Sequence, residues 1–202
     1  GMAPMSWMGF SSESFFSGFC AALEDEKNLC ELIGQLYQSQ LSGECNLYSF
    51  QYCDSMVAWG LWLQQLWSES LGKWEDRKKR EAPVAPTLVP CRGASDQHSV
   101  LQQVTGGREK KFVTFLRVKS AEKRELFLKG SLVQNSMMNG KTLGQLLEAE
   151  AEATEQAVNE QGVASLRMQT EELTASSMAY LMGLWMIAVG VLGELQLSLI
   201  HI

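Results

Sequence analysis

Four short strand-like segments, each followed along the chain by a helical segment, constrain the fold most strongly. The strand-like segments are residues 45–53, 87–91, 111–118 and 163–170. They are apolar and rich in strand-favouring residues, whereas the segments between them place apolar residues at helical spacing. Strands that alternate with helices pair in parallel, because each helix returns the chain across the sheet. The pattern therefore predicts an α/β fold, a three-layer sandwich whose mostly parallel central sheet is flanked by helices.

The remaining segments complete this outline. A cap-like Ser11 and an apolar period predict a first helix, and residues 27–41 predict a second helix before the first strand. Residues 74–86 combine a run of four cations with acids and two prolines, which predicts a solvated surface loop rather than a phosphate or nucleic-acid site. Further helices are predicted for residues 56–72 and 142–162 and from about Glu171 onward.

One uncharged run, residues 178–193, raises the question of a membrane. A helix needs about 20 apolar residues to span a bilayer and usually has Lys or Arg at a flank. This run is shorter, ends in Glu194 and has no flanking cluster of cations. We therefore expect a buried core helix and no membrane association, with a small membrane-anchored protein as the alternative.

Charge and cysteine usage exclude other classes of function. The 202 residues have a formal net charge of −6, so the chain lacks the basic field that nucleic-acid binding needs. Its five cysteines are an odd number without a CxxC pair, which indicates neither a disulfide framework nor a zinc site. We expect one acidic globular domain in the reducing cytoplasm, with no partner nucleic acid and no metal.

Three polar residues are candidates for chemistry. Gln65 and Glu69 are four residues apart, so they lie one above the other on the helix after the first strand. His98 follows the strand that ends near Cys91, on the side of the sheet where α/β proteins bind ligands. Simpler interpretations remain open at this point: a solvated helix end for Gln65 and Glu69, and a local hydrogen-bonding histidine behind an Asp96 cap for His98.

Two motifs favour the functional interpretation. The segments "QLWSESLGK" (65–73) and "GASDQHS" (93–99) occur in this order, and together they resemble the C-terminal half of the glucose-6-phosphate isomerase family. Residues 141–162 resemble the family's helix before its last strand, and residues 4–19 resemble the segment after its glycine-rich signature. The resemblance extends over about residues 3–196.

The resemblance implies a sugar isomerase domain with a flavodoxin-like fold, and interconversion of glucose 6-phosphate and fructose 6-phosphate without metal or organic cofactor. Carried over residue by residue, Glu69 would be the base that moves a proton between C1 and C2 through a cis-enediol. His98 would assist ring opening, and Gln65 and Gln97 would bind the phosphosugar. The family also implies a cytoplasmic homodimer in glycolysis and gluconeogenesis, with the histidine contributed across the dimer interface.

The domain organisation that follows from the resemblance is a C-terminal sugar isomerase domain at residues 2–196 and an atypical tail at 197–202, which includes His201. The resemblance implies that the family's phosphate-binding loop belongs to an upstream domain, which we expect to be absent from this chain, and that the tail stands in place of the family's terminal lysine motif. We therefore expect the chain alone to be weakly active or inactive. A noncatalytic sugar-phosphate-binding module that regulates a partner is the alternative.

Overall fold

The computed structural model describes residues 9, 11–119, 126–128 and 137–196, so the tail predicted at 197–202 lies outside the described residues. The described part contains six α-helices and four β-strands. In chain order they are α1 (Ser12–Glu24), α2 (Glu26–Leu41), β1 (Asn46–Tyr52), α3 (Val57–Leu71), β2 (Thr87–Arg92), α4 (Gln97–Gly106), β3 (Lys111–Val118), α5 (Leu143–Glu160), β4 (Ala164–Thr170) and α6 (Ala175–Leu195).

The four strands form one parallel sheet in the order β2-β1-β3-β4. Residues of β1 pair with β3 from Asn46 opposite Lys111 to Tyr52 opposite Arg117, and β3 pairs in parallel with β4. Because the chain moves from β1 to β2 on one side and then crosses to β3 on the other, the connections diverge between β1 and β3. The predicted α/β sandwich with a parallel sheet is confirmed.

The chain divides into two compact units. Unit 1 comprises Gly1–Cys45, Trp62–Leu88 and Leu173–Ile202, and unit 2 comprises Asn46–Leu61 and Val89–Glu172. Unit 1 contains α1, α2, α6 and most of α3. Unit 2 contains most of the sheet together with α4 and α5.

In unit 2, helices cover both faces of the sheet. On one face, aromatic rings of β1 and β3 stack on one another, with 5.8 Å between the ring centroids of Phe50 and Phe115. Val104 of α4 and Val158 of α5 are fully buried in the same core. On the other face, Gly60 of α3 lies so close to Gln51 that a Cβ atom there would be 2.6 Å from the glutamine oxygen.

Strand β3 is buried at all eight positions, including its two cations. The Lys111 ammonium group donates hydrogen bonds to the carbonyl oxygens of Gln103 (2.7 Å) and Gly107 (2.9 Å), at the end of α4. Arg117 is 1% exposed and donates to carboxylates of α5, at 2.5 Å to Glu148 and 2.7 Å to Glu155. A buried charge needs such partners, because desolvation is otherwise unfavourable.

In unit 1, α6 is the helix that contains the uncharged run, and it is the one described helix with the length and hydropathy to cross a membrane. Its small residues allow close packing: a Cβ on Gly183 would lie 2.7 Å from the Cβ of Ala22 in α1. The rings of Trp185 and Trp67 pack edge to face, with both side chains buried. These contacts bury part of α6 against other helices of unit 1.

The charged segment at residues 74–86 lies outside the helices and strands, as predicted. Asp76 is buried, and its carboxylate accepts hydrogen bonds from the backbone N–H groups of Lys78 (2.7 Å) and Arg80 (2.9 Å) and from the Arg80 side chain. Arg77 forms an ion pair of 2.7 Å with Glu194. Several of these cations are therefore engaged within the chain.

The first testable consequence concerns Arg117. Replacing it by methionine (Arg117→Met) removes the cation and leaves Glu155 partly buried with Arg167 as its remaining partner. We expect the free energy of unfolding to fall by about 3 kcal/mol, since loss of one member of a buried ion pair is strongly destabilising. Urea denaturation followed by tryptophan fluorescence measures the change. The matched control, Lys119→Met, breaks an exposed ion pair with Glu171 and should cost less than about 1 kcal/mol; equal losses would contradict the prediction.

A second consequence is a pH dependence at the junction of α1 and α2. The Tyr180 hydroxyl donates a 2.6 Å hydrogen bond to Asp25, and this bond, with that from the Asn28 backbone, lowers the pKa of the Asp25 carboxyl. A carboxyl with a lowered pKa in the folded state stabilises the fold above its unfolded pKa of about 3.9, and the stabilisation is lost as pH falls.

We therefore expect Tyr180→Phe to destabilise the protein more at pH 7 than at pH 3. Denaturation midpoints of the wild type and the variant at both pH values give the difference. Tyr37→Phe in α2 is the matched control. A loss for Tyr180→Phe that is the same at both pH values would contradict the linkage.

Candidate functional site

Gln65 and Glu69 lie on the solvent side of α3, within unit 1. The helix buries Leu63, Trp67 and Leu71 at intervals of four residues, which turns the opposite stripe outward. Gln65 Nε2 donates a 3.0 Å hydrogen bond to Glu69 Oε1, so the predicted juxtaposition of the two side chains is confirmed. The pair presents an exposed carboxylate whose orientation is set by a neighbouring amide.

His98 and Gln97 lie in the first turn of α4, within unit 2. His98 is exposed and Gln97 is half-buried. The turn before them is closed by backbone hydrogen bonds from Gln97 N–H to Ala94 O (3.1 Å) and from His98 N–H to Ser95 O (3.3 Å). The imidazole therefore projects from a hydrogen-bonded helix start at the carboxyl edge of the sheet.

The possible role of Asp96 as a side-chain cap of this helix proves wrong. Asp96 occupies the N-cap position of α4, but its side chain accepts no hydrogen bond from the N–H groups of the helix. Its carboxylate instead accepts from the backbone N–H of Arg92 at 2.6 Å, and the Asp96 N–H donates back to Arg92 O at 2.7 Å. Because the two residues bond reciprocally, the loop between β2 and α4 is closed on itself.

A second connection ties this loop to the end of β1. The Arg92 guanidinium group donates to the Asp54 carboxylate at 2.9 Å, and both side chains are about half exposed, at 52% and 60%. An ion pair this exposed contributes little to stability. It does fix a cation and a carboxylate at the carboxyl edge of neighbouring strands, where ligands bind in open parallel sheets.

A third connection comes from Tyr52, the last residue of β1. Gln97 Nε2 donates a 2.9 Å hydrogen bond to the Tyr52 hydroxyl oxygen. The tyrosine ring also lies against Gly93, where a Cβ atom would be 2.5 Å from Cε1 of the ring. Burial raises the pKa of the Tyr52 hydroxyl, and hydrogen bonds with Thr154 and Gln97 oppose that rise.

A cavity of about 540 Å³ opens beside the same loop. This volume is within the range of small-molecule sites. Polar and apolar groups share its wall. The lining consists of Cys53, Asp54, Arg92, Gly93, Ala94, Ser95, Leu126, Leu143, Gly144, Leu146, Leu147 and Glu150, all of which belong to unit 2.

The structure thus brings the predicted residues together in two pairs, Gln65 with Glu69 and Gln97 with His98, one pair in each unit. Sequence reasoning missed Tyr52, although its place at the end of a strand beside the ligand edge was a usable signal. Within the described residues, no group of three or more His, Cys, Asp or Glu side chains could hold a metal ion.

Comparison with known proteins identifies the family. No protein-family model matches the chain. A curated glucose-6-phosphate isomerase from Campylobacter jejuni is 30% identical over 192 residues, which cover 90% of this chain and 45% of that protein. The solved structure of a hypothetical protein from Thermus thermophilus matches with a TM-score of 0.82 at 28% identity, over 96% of this chain and 47% of the other.

A solved glucose-6-phosphate isomerase from Chlamydia trachomatis has the same fold, with a TM-score of 0.70 at 20% identity, over 89% of this chain and 37% of the other. The chain therefore spans less than half the length of each of these proteins, while nearly all of its own length is matched. By its sequence similarity to these curated relatives, the chain belongs to the glucose-6-phosphate isomerase family.

Proposed function

We propose that this chain is the C-terminal sugar isomerase domain of a glucose-6-phosphate isomerase, which interconverts glucose 6-phosphate and fructose 6-phosphate. The observation that most directly supports the proposal is the exposed Glu69 carboxylate, oriented by Gln65 in a segment that resembles the family's motif. The second motif supplies His98 at the start of α4.

Glu69 performs the proton transfer in this proposal. Its carboxylate removes the proton from C2 of the open-chain aldose, which leaves a cis-enediol, and returns it to C1. The hydroxyl proton moves from O2 to O1, so that the aldehyde becomes a primary alcohol and the carbinol becomes a ketone. One carboxylate suffices because both carbons are within reach of a single base on one face of the enediol.

His98 opens the sugar ring. An imidazole can donate and accept protons near neutral pH, so it can protonate the ring oxygen as the hydroxyl of the anomeric carbon is deprotonated. Gln65 and Gln97 bind the substrate. Since one N–H of the Gln97 amide is used by Tyr52, its carbonyl oxygen is available to accept from a sugar hydroxyl.

The compartment, oligomeric state and pathway that we propose are those that the family resemblance implies. We propose a cytoplasmic homodimer that acts in glycolysis and gluconeogenesis on a phosphosugar, with no nucleic-acid or membrane partner. Because the chain spans 45% of the Campylobacter jejuni relative, its own turnover should fall below the roughly 1 to 1000 per second typical of enzymes.

The role of Glu69 is tested by Glu69→Gln, which keeps the shape of the side chain and removes the base. Deuterium incorporation in D₂O at C1 of fructose 6-phosphate or at C2 of glucose 6-phosphate, followed by NMR, reports proton transfer even when net turnover is slow. We expect the exchange rate to drop by about 100-fold or more. Glu24→Gln, at an exposed position at the end of α1, is the matched control and should exchange at the wild-type rate; equal rates for the two variants would rule out Glu69 as the base.

The role of His98 is tested by His98→Asn with two substrates. We expect isomerisation of fructose 6-phosphate to slow by about 100-fold, because the ring must open first. An aldotetrose 4-phosphate cannot close a five- or six-membered ring, so its proton exchange should be unchanged. A similar loss with both substrates would mean that His98 acts in proton transfer or binding and not in ring opening.

A second candidate function, a noncatalytic phosphosugar-binding module that regulates a partner, is favoured by one observation. The residues that line the 540 Å³ cavity include Arg92 and do not include Glu69. Calorimetry with the same Glu69→Gln variant separates the two functions. Saturable binding of fructose 6-phosphate that is unaffected by the substitution, with no proton exchange above the uncatalysed rate in either protein, would favour the module.

A further inference from the structure

We propose that Tyr52 is a positioning residue that sets the orientation of His98 through Gln97. This inference rests on the proposed function for what His98 does, and it extends that function to a core residue outside both motifs. Neither of the two motifs, residues 65–73 and 93–99, includes Tyr52, which lies more than 40 positions before the histidine motif. Tyr52 contacts the aromatic core, Gly93 and Gln97, all within unit 2.

The core determines the position of Tyr52. The side chain is 2% exposed and packs beside Phe50 and Phe115, with ring centroids 6.3 and 6.4 Å away. Its backbone is paired in the sheet opposite Arg117, which is itself buried. A ring confined in this way cannot follow movements of the loop beside it, so it acts as a fixed reference point.

The ring and the hydroxyl group of Tyr52 contact opposite ends of one loop. The ring lies against Gly93, where any larger residue would collide with it, and the hydroxyl accepts the hydrogen bond from Gln97. Between these contacts, Asp96 closes the loop on Arg92 through two hydrogen bonds, one from the Arg92 N–H to the Asp96 carboxylate and one from the Asp96 N–H to the Arg92 carbonyl oxygen. Gly93, Asp96 and Gln97, three residues of the motif, therefore hold the loop that leads to His98.

His98 is the residue that these contacts affect. It directly follows Gln97 in the first turn of α4, a position where helices fray because the first N–H groups lack partners within the helix. The Asp96 side chain does not cap this end, so the bond from Gln97 to Tyr52 is the side-chain contact that ties the turn to the core. Loss of this bond should widen the range of orientations that the exposed imidazole samples.

The proposal is tested with Tyr52→Phe, which keeps the ring and its contact with Gly93 and removes only the hydroxyl oxygen. Tyr48→Phe is the matched control, because Tyr48 is also buried on the same face of β1. The chain has two histidines, His98 and His201, so imidazole resonances are assigned by comparison with His98→Asn. Both variants are measured by ¹H–¹⁵N NMR of the imidazole and by thermal denaturation.

We expect the His98 resonances to shift or broaden in Tyr52→Phe and to stay unchanged in Tyr48→Phe. Where isomerisation is measurable, Tyr52→Phe should lower kcat for fructose 6-phosphate about tenfold, the value of one net hydrogen bond, with KM unchanged. Proton exchange on the aldotetrose phosphate should not change. Gln97→Met breaks the same bond from the half-buried side, and should reproduce the His98 shift if Tyr52→Phe folds poorly.

Unchanged His98 resonances in both Tyr52→Phe and Gln97→Met would overturn the inference, whatever the turnover. An equal shift in Tyr48→Phe would also overturn it, because the effect would then reflect general loosening of the core. Shifted His98 resonances in a chain that shows neither isomerisation nor proton exchange would support the positioning role of Tyr52 and count against the proposed function.

Discussion

The burial of the central strand is the constraint on which much of unit 2 depends. All eight residues of β3 are buried, and two of them are cations that must find partners away from water. Lys111 is satisfied by carbonyl groups at the end of α4, where backbone oxygens lack partners within the helix. Arg117 is satisfied by Glu148 and Glu155 of α5. Both helices on one face of the sheet are therefore tied to β3 by charge as well as by apolar packing.

The buried core around β3 extends to the carboxyl edge of the sheet. Arg117 lies opposite Tyr52 in the register of β1 and β3, so the rigid centre of the core extends to the residue that bonds Gln97. The ion pair of Arg92 with Asp54 adds a second connection between neighbouring strand ends. Flexible residues alone would not keep an exposed imidazole in one place. A buried aromatic core that reaches the edge gives the residues bonded to it a rigid support.

Much of the fold is predictable from sequence because the signals are local. Residues 111–118 read as a strand from their composition, and the observed β3 has the same bounds. The final helix is predicted from about Glu171 but begins at Ala175, since Thr174 forms a capping box with Ser177. The prediction that the Asp96 side chain caps α4 is wrong, because its carboxylate accepts a hydrogen bond from the Arg92 N–H instead. Capping propensity describes one residue and its helix, so it does not account for a competing donor, the Arg92 N–H, that loop closure brings to the Asp96 carboxylate.

By itself, the sequence determined the alternation of strands and helices, the pairing of Gln65 with Glu69 by helical spacing, and the motif that contains His98. These depend on neighbours within a few residues, so periodicity and motif order reveal them. Only the tertiary structure decided that Tyr52 meets Gly93 and Gln97, because that contact joins residues more than 40 positions apart. Strand order and register bring such residues together, and both follow from how buried surfaces fit across the whole sheet and not from any single segment.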